Sequence, residues 1–246
     1  MSTLSARALP GMPEVRPGDD LAALLSTAAG GDLRAGDVLV VAHKVVSKAE
    51  GAVVRLDEVR PSERALRLAK ELDKDPRHVQ VVLDQTAEVV RAERGVLICR
   101  THQGFVCANA GVDASNAGAE GELVCLPRDP DASARALRAA LPGRPAVVVT
   151  DSFGRAWRHG QADVAIGIAG LAPLDDWRGR TDATGRELRA TWIAVADEAA
   201  SAADLVRNKG SREPAVLVRG LERHVTEDDG PGAAALLRPV EEDLFR

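Results

Sequence analysis

No apolar run in the chain approaches the roughly 20 residues that a membrane-spanning helix needs. Pro10, Pro13 and Pro17 interrupt the stretch where a signal peptide would carry its apolar core. Cysteine is scarce. Cys99, Cys107 and Cys125 are an odd set without CxxC spacing, each inside an apolar run, which fits buried free thiols in a reducing cytoplasm rather than a disulfide framework. The expected location is therefore cytoplasmic, with no membrane partner. Lysine occurs only as Lys44, Lys48, Lys70, Lys74 and Lys209, and the net charge of −5 argues against a nucleic-acid partner, which requires clustered positive charge. No histidine pair has HxxxH spacing, so zinc chemistry is not expected. The absence of GxxxxGK[ST] excludes a P-loop, and no GxGxxG follows a strand, which argues against a Rossmann dinucleotide site. Asn208-Lys209-Gly210-Ser211 superficially matches a guanine-reading loop but lacks the required Asp and by itself carries no weight. Neither an internal repeat at solenoid spacing nor a low-complexity tract is present.

What is there is an ordinary globular composition: 246 residues, 45% hydrophobic and 28% charged, enough for a sizeable core in one large domain or two small ones. Residues 1–18, rich in Pro and Gly, read as extended or looped. Asp19-Asp20 precede a short helix from Leu21 to Ala29. Strands are expected over Asp37–Val46, Ala52–Leu56, Val79–Leu83, Val96–Arg100, Gly104–Ala108, Glu122–Leu126, Ala146–Thr150 and Ala215–Val218. Helices are expected from Pro61-Ser62-Glu63 to about Leu72, from Pro130 with Ala136, Leu137, Ala140 and Leu141 on one side, and from Ala190 to about Val206, where Trp192, Val195, Ala199 and Ala203 recur. Thr86–Arg94 is ambiguous, and the tail reads as a short helix or two. Many strands that do not alternate strictly with helices predict an α+β fold.

Two apolar runs each deliver an aspartate to a Gly-rich segment. Gly104–Ala108 leads into Asn109-Ala110-Gly111-Val112-Asp113-Ala114-Ser115-Asn116, and Ala146–Thr150 into Asp151-Ser152-Phe153-Gly154-Arg155. Hard carboxylate oxygens at Asp113 and Asp151 suit Mg²⁺ or Mn²⁺, and Ser152 could add an oxygen; a plain turn at each Asp is the other reading. Arg155, Arg158 and His159 could hold phosphate or carboxylate beside that cation, the pattern of metal-assisted phosphoryl transfer, with a solvated loop as the blander alternative. Ser47-Lys48-Ala49-Glu50-Gly51, between two expected strands, reads either as a lysine placed to neutralise phosphate or, more ordinarily, as an exposed hairpin with a Lys–Glu surface pair. The charged stretch Asp175–Asp182 could meet a second cation or a charged substrate, but a surface loop is the simpler reading. Asp197 and Asp204 share one helix face, by default a solvated one.

In order along the chain, Pro13-Glu14-Val15, Ser47–Gly51, Ala108–Asn116, Arg128-Asp129-Pro130-Asp131 and Asp151–Arg155 with Trp157-Arg158 and Gly160-Gln161 resemble one family, the coenzyme F420-0 gamma-glutamyl ligases. The resemblance runs from about Leu9 to Gly220, through Ala165–Gly170 and the Ala196-Asp197-Glu198 helix. It implies a GTP-dependent ligase that adds L-glutamate through a γ-linked amide to a deazaflavin precursor. It also implies an unusual α+β fold of mixed multi-stranded sheets, an intertwined homodimer, and Mg²⁺ or Mn²⁺ in a two-ion arrangement, with K⁺ in some members. Asp113 and Asp151 match the family's metal ligands, and Ser152 stands where a Thr usually helps hold the second ion. Met12, Pro13, Glu14, Val15, Lys48 and Asn116 match nucleotide-contacting positions. His43 stands where Ser or Thr is common, and the stretch from Arg207 to Pro214, with Arg207, Asn208, Lys209 and Gly210, matches a further nucleotide contact in which Asn208-Lys209 replaces the usual Gly-Lys. The implied organisation is one catalytic unit over residues 1–246, with a ligase region of about 9–220 as one body or two subdomains. A tail over 221–246 follows, without the nitroreductase-like domain some relatives carry.

The chemistry required by such a reaction agrees with these residues. A carboxylate oxygen is a poor leaving group, so amide formation needs an activated acyl group, and an acyl phosphate from the nucleotide γ-phosphate supplies one. Bringing anions together calls for cations, and Lys48, Arg155 and Arg158 are the candidates for absorbing the developing charge. Two rivals use the same residues: a metal-dependent phosphotransferase or hydrolase, and a non-catalytic nucleotide-binding module.

Overall fold

The computed structural model describes residues 3–207 and 210–243. The N-terminal segment, expected to be extended or looped, contributes a short strand, β1 (Ser5–Ala8). Helix α1 (Leu21–Ala29) starts where Asp20 accepts the Ala23 amide at 3.0 Å and stops at Gly30 in the left-handed region. Strand β2 (Val38–Ala42) is shorter than the expected Asp37–Val46, because the chain turns into helix α2 (His43–Ala49). The β-branched run is broken by His43-Lys44. A helix here sets Lys44 and Lys48 four residues apart on one side, while Val46 goes into the core.

The next segment forms a module of its own. Strand β3 (Val53–Arg55) leads to α3 (Glu63–Leu72), capped by Ser62, and α4 (Pro76–Asp84), capped by Asp75 with Pro76 in its first turn. The strand expected over Val79–Leu83 is thus helical: the Asp-Pro start signal outweighs the β-propensity of the valines, and Val79, Val81 and Val82 are buried. The ambiguous stretch is strand β4 (Thr86–Glu93), which pairs antiparallel with β5 (Val96–Thr101), and β5 with β6 (Val106–Ala108). Strand β7 (Glu122–Val124) returns beside β3. This module has its own core, centred on Leu97, Leu123, Val82 and Cys125.

Helix α5 (Pro130–Ala140), capped by Asp129, buries Pro130, Ser133, Ala134, Leu137 and Arg138. Ala136 and Ala140, expected on that face, are exposed; the Pro130 start fixes a different phase. Strands β8 (Ala146–Arg155) and β9 (Arg158–Ala169) form a long antiparallel hairpin, so the expected loop after Thr150 is instead continuous strand. Strands β10 (Asp175–Asp176) and β11 (Trp192–Ile193) make a small ribbon. Helix α6 (Val195–Val206) begins later than expected, because Trp192 belongs to that ribbon. Strand β12 (Ala215–Arg219) is followed by single 3₁₀ turns.

The central sheet has the order β1-β12-β2-β8-β9, with β2 and β8 parallel and every other pair antiparallel. This mixed arrangement is the expected α+β class. Leu39, Val148, Ile168 and Leu217 lie in its core, with α5 against β8 and β9 and α6 across β9, β1 and β12. Gly167 is required where α5 begins, since a Cβ there would collide with the Pro130 carbonyl. No described helix is long and apolar enough to cross a membrane.

Candidate active site at one edge of the central sheet

Because β2 and β8 run parallel with Ala42 opposite Thr150, the residues after each strand emerge at the same sheet edge, the usual place for a ligand site beside parallel strands. The antiparallel neighbours bring other segments to that edge. Ala215 at the start of β12 pairs with Val41, Pro214 accepts the Ala42 amide at 2.8 Å, and Leu9 after β1 donates to Ala215 at 2.9 Å. On β9, Asp163 lies opposite Ser152. These ends, with the Asp113–Gly118 turn of the smaller module, enclose a cavity of about 650 Å³.

Met12, Pro13, Glu14 and Val15 line this cavity, as do His43, Lys48 and Asn116. Asp113, Asp151, Ser152 and Arg207 line it as well. The structure therefore gathers most of the sequence candidates into one place. Gly210 is not in the lining, and Asn208 and Lys209 lie outside the described residues. Arg155 and Arg158 are elsewhere: they sit at the exposed tip of the β8–β9 hairpin, where Arg155 donates to the His159 carbonyl at 2.6 Å. From Ser152 to Arg155 the strand advances about 10 Å. An unbroken strand, where a loop was expected, carries both arginines away from the edge.

Lys48 is a buried side chain near the end of α2, 9% exposed, in a close ion pair with Glu14. The exposed hairpin reading of Ser47–Gly51, with its local Lys–Glu pair, is corrected accordingly: Lys48 reaches across to residue 14, and Glu50 instead accepts from Ser133. Lys44, on the same side of the helix, donates to Asp113 Oδ2 at 2.6 Å, to the Ser115 carbonyl at 2.8 Å and to the Ser115 hydroxyl at 2.7 Å.

Asp113 belongs to a tight turn. Its Oδ1 accepts the Ser115 amide at 2.7 Å and Oδ2 the Ser115 hydroxyl at 2.9 Å, while its backbone bridges to Val124. Burial by itself would raise the Asp113 carboxyl; the Lys44 ammonium and the Ser115 hydrogen bonds outweigh it and hold the group below the ordinary carboxylate value. The chain reaches this turn through Asn109, Ala110 and Gly111, all with positive φ. Gly111 is obligatory, since φ is +72° and a Cβ would lie 2.6 Å from Leu126.

Asp151 differs. It lies within β8, its side chain 16% exposed, accepts the Ser152 amide at 2.8 Å, and faces His43 Nε2 at 3.3 Å. That nitrogen is buried and not aligned for a hydrogen bond. His43 Nδ1 lies 3.3 Å from the Ser47 hydroxyl. Among the described residues no Lys or Arg forms an ion pair with Asp151, whereas Lys44 pairs with Asp113, Lys48 with Glu14 and Arg207 with Asp163.

A divalent cation fits this donor set in one way. Among the described residues no three His, Cys, Asp or Glu side chains converge as a closed metal cage. Asp151 and the Ser152 oxygen, with Asp113 on the facing turn, could supply part of a shell, leaving positions for water and phosphate oxygens, as Mg²⁺ and Mn²⁺ prefer.

Several lining residues escaped the sequence reading: Lys44, Thr150 and Asp163. Lys44 was legible only if its segment was known to be helical, where it stacks with Lys48. Asp163 lies in a stretch that was not read as a strand, and its partner depended on the hairpin register. The shared face of Asp197 and Asp204 is not a solvated one. Asp197 accepts the Ala165 amide at 2.9 Å, and burial pushes its carboxyl up, while Asp204 lines the cavity. The Asp175–Asp182 stretch uses its charges internally: Arg178 pairs with Asp176 at 2.7 Å and stacks 4.0 Å over the Trp192 ring, and Trp177 donates to Asp175.

The comparisons with known proteins cover nearly the whole chain. A family model described as F420-0:Gamma-glutamyl ligase matches residues 11–220. A protein of Methanopyrus kandleri named coenzyme F420:L-glutamate ligase is 45% identical over a 252-residue alignment, spanning 100% of this chain and 99% of the relative. A protein of the same name from Methanothermobacter thermautotrophicus is 44% identical over 244 residues, 96% of each chain. Another from Halobacterium salinarum is 44% identical over 250 residues, covering 99% of this chain and 96% of its own length.

Proposed function

The chain belongs to the F420-0:gamma-glutamyl ligase family, and from that premise we propose that it joins L-glutamate to a deazaflavin coenzyme F420-0 precursor, using GTP and a divalent metal. The observation that carries this reading is the cavity itself. Its lining combines two carboxylates suited to a cation, Asp113 and Asp151, with Lys44 and Lys48 of α2 and the Met12–Val15 loop, and that combination supports the reading. Such a site serves a reaction among anions better than simple binding does.

In the proposed sequence a precursor carboxylate oxygen attacks the γ-phosphorus of GTP. A P–O bond forms, the bond to the β-γ bridging oxygen breaks, and GDP leaves. The glutamate amine then attacks the acyl carbon of the resulting acyl phosphate. Inorganic phosphate departs with the C–O electron pair, and the nitrogen loses a proton. A divalent cation held by Asp151, Ser152 and Asp113 would supply Lewis-acid neutralisation of phosphate oxygens. The chain's own groups bind and orient. Lys48 meets negative charge once Glu14 is displaced. Met12–Val15 and Asn116 wall the nucleotide region, and Arg207, at the end of α6, braces the opposite wall. Lys44 keeps Asp113 ionised and its turn closed. The proposal includes a homodimer, to be checked by light scattering of the purified protein.

The deciding experiment incubates the protein with deazaflavin precursor, L-glutamate, GTP and Mn²⁺ and weighs the product. A mass gain of one or more glutamyl residues is expected, dependent on all four components. GTP hydrolysis without a glutamylated product would favour the phosphotransferase or hydrolase reading. Nucleotide binding without turnover would favour a binding module.

A further inference from the structure

We propose that Asp163 is a positioning residue that turns the Ser152 hydroxyl into an oxygen donor for the cavity and locks Arg207 as its wall. Asp163 sits on β9 directly opposite Ser152, is 2% exposed, and accepts from Ser152 Oγ at 2.6 Å and from Thr150 Oγ1 at 2.9 Å. The Arg207 guanidinium closes tightly on the same carboxylate and also donates to Thr150 Oγ1 at 2.8 Å and to the Pro214 carbonyl at 3.1 Å. From the other side Ser201 donates to the Asp163 carbonyl at 3.1 Å.

A hydroxyl has one proton and two lone pairs. With its proton directed at Asp163, Ser152 can act only as an acceptor on its remaining sides, and the bond to a carboxylate makes that oxygen a stronger donor of electron density. This is how an outer partner usually tunes a metal ligand. The same carboxylate offsets part of the cost of burying Arg207, whose side chain is 10% exposed. One buried acid therefore ties together β8, β9, the end of α6 and the segment before β12. A residue placed only to neutralise Arg207 would not need the Ser152 contact.

The inference rests on the reading above, in which Ser152 faces a divalent cation, and the test separates the two. Mn²⁺ is titrated into the full-length protein without nucleotide, free Mn²⁺ is followed by its paramagnetic resonance signal, and folding is checked by thermal unfolding. Asp163→Ala and Ser152→Ala are each expected to weaken Mn²⁺ binding about tenfold. The double variant should bind no worse than the weaker single one, because both changes remove the same interaction. Ser152→Thr, which keeps the hydroxyl, should retain the affinity of the unaltered protein. Should Asp163→Ala not fold, Asp163→Ala/Arg207→Met removes both buried charges and gives the same readout. Unchanged Mn²⁺ affinity in the Asp163 variant, or independent multiplication of the two losses, overturns the positioning role while leaving the metal site standing. Failure of the unaltered protein to bind Mn²⁺ overturns both.

Discussion

Asp113 and Asp151 follow the same local pattern, an apolar run ending in a small-residue segment with an acid, yet they occupy opposite kinds of environment. Asp113 lies in a side-chain-closed turn of the smaller module, clasped by Lys44 and Ser115. Asp151 lies inside a strand of the central sheet beside an orphaned His43 nitrogen, with no Lys or Arg paired to it among the described residues. Asp113 is paired with the tethered Lys44 ammonium, whereas Asp151 has no Lys or Arg partner among the described residues. Similar sequence surroundings therefore do not make equivalent carboxylates. What distinguishes them is which element the fold sets against each.

The strongest challenge to that contrast is Asp151→Asn. If Asp151 is the principal cation ligand, the variant should lose glutamyl transfer by about 10³-fold, the several kcal/mol that metal charge stabilisation provides, measured as initial rate of product formation. Lys44→Met should cost less, about tenfold in rate, because Asp113 keeps its Ser115 bonds. Its diagnostic readout is titration of the Asp113 carboxyl followed by NMR. In the unaltered protein the folded carboxyl is held below its unfolded value, so its contribution to stability is present above the unfolded pKa and fades as pH falls through the folded one. Lys44→Met should move the midpoint upward. An unmoved midpoint would remove Lys44 as the cause of the difference. Gly111→Ala perturbs only the Asp113 side, forcing a Cβ against Leu126 at a left-handed position. A loss of about 1–3 kcal/mol, read as a lower melting temperature, is expected with the Asp151 side intact. The smallest effects are expected from Arg155→Ala and Arg158→Ala, about twofold or less in rate, because their tip lies beyond the cavity. A loss as large as that of Lys48→Ala would mean that a second copy brings the hairpin over the site.

Much of the fold was legible where local signals agreed. Asp19-Asp20, Pro61-Ser62-Glu63 and Pro130 announced helix starts that the structure keeps, and the valine runs at Val38–Val41 and Val147–Val149 are buried strands. Misreadings came where two signals competed. Val79–Val82 has strand-like residues, but a capped Asp-Pro start and burial against α3 made it helix. Val45 and Val46 resume a β-branched run after its break at His43-Lys44, but the segment is a helix that carries Lys44 and Lys48 to the cavity. The Asp151–Gln161 segment, dense in Gly and charge, looked like a loop because isolated strand ends and hairpin interiors share that composition. The site residues quoted from the family pattern were mostly collected together, whereas Lys44 and Asp163 were hidden, since each owes its role to a partner 69 or 11 residues away.

The three cysteines illustrate the division on a small scale. Their spacing already spoke against a disulfide framework, and all three are free and buried. Only packing decided that burial pushes the Cys107 thiol up to about 12 and Cys125 to about 11, which leaves both protonated near neutrality. The same holds for the chain as a whole. Composition, helix caps and ordered motifs determined the α+β class, the family and most of the residues that surround the cavity, because those depend on nearest neighbours and on the order of segments. The pairing of Lys44 with Asp113, the lack of a Lys or Arg partner for Asp151 among the described residues, the hydrogen bonds of Asp163 and the place of Arg155 and Arg158 at the hairpin tip were decided by sheet order and register. A parallel β2–β8 pair brings two strand ends to one edge, and no local pattern specifies which strands become neighbours.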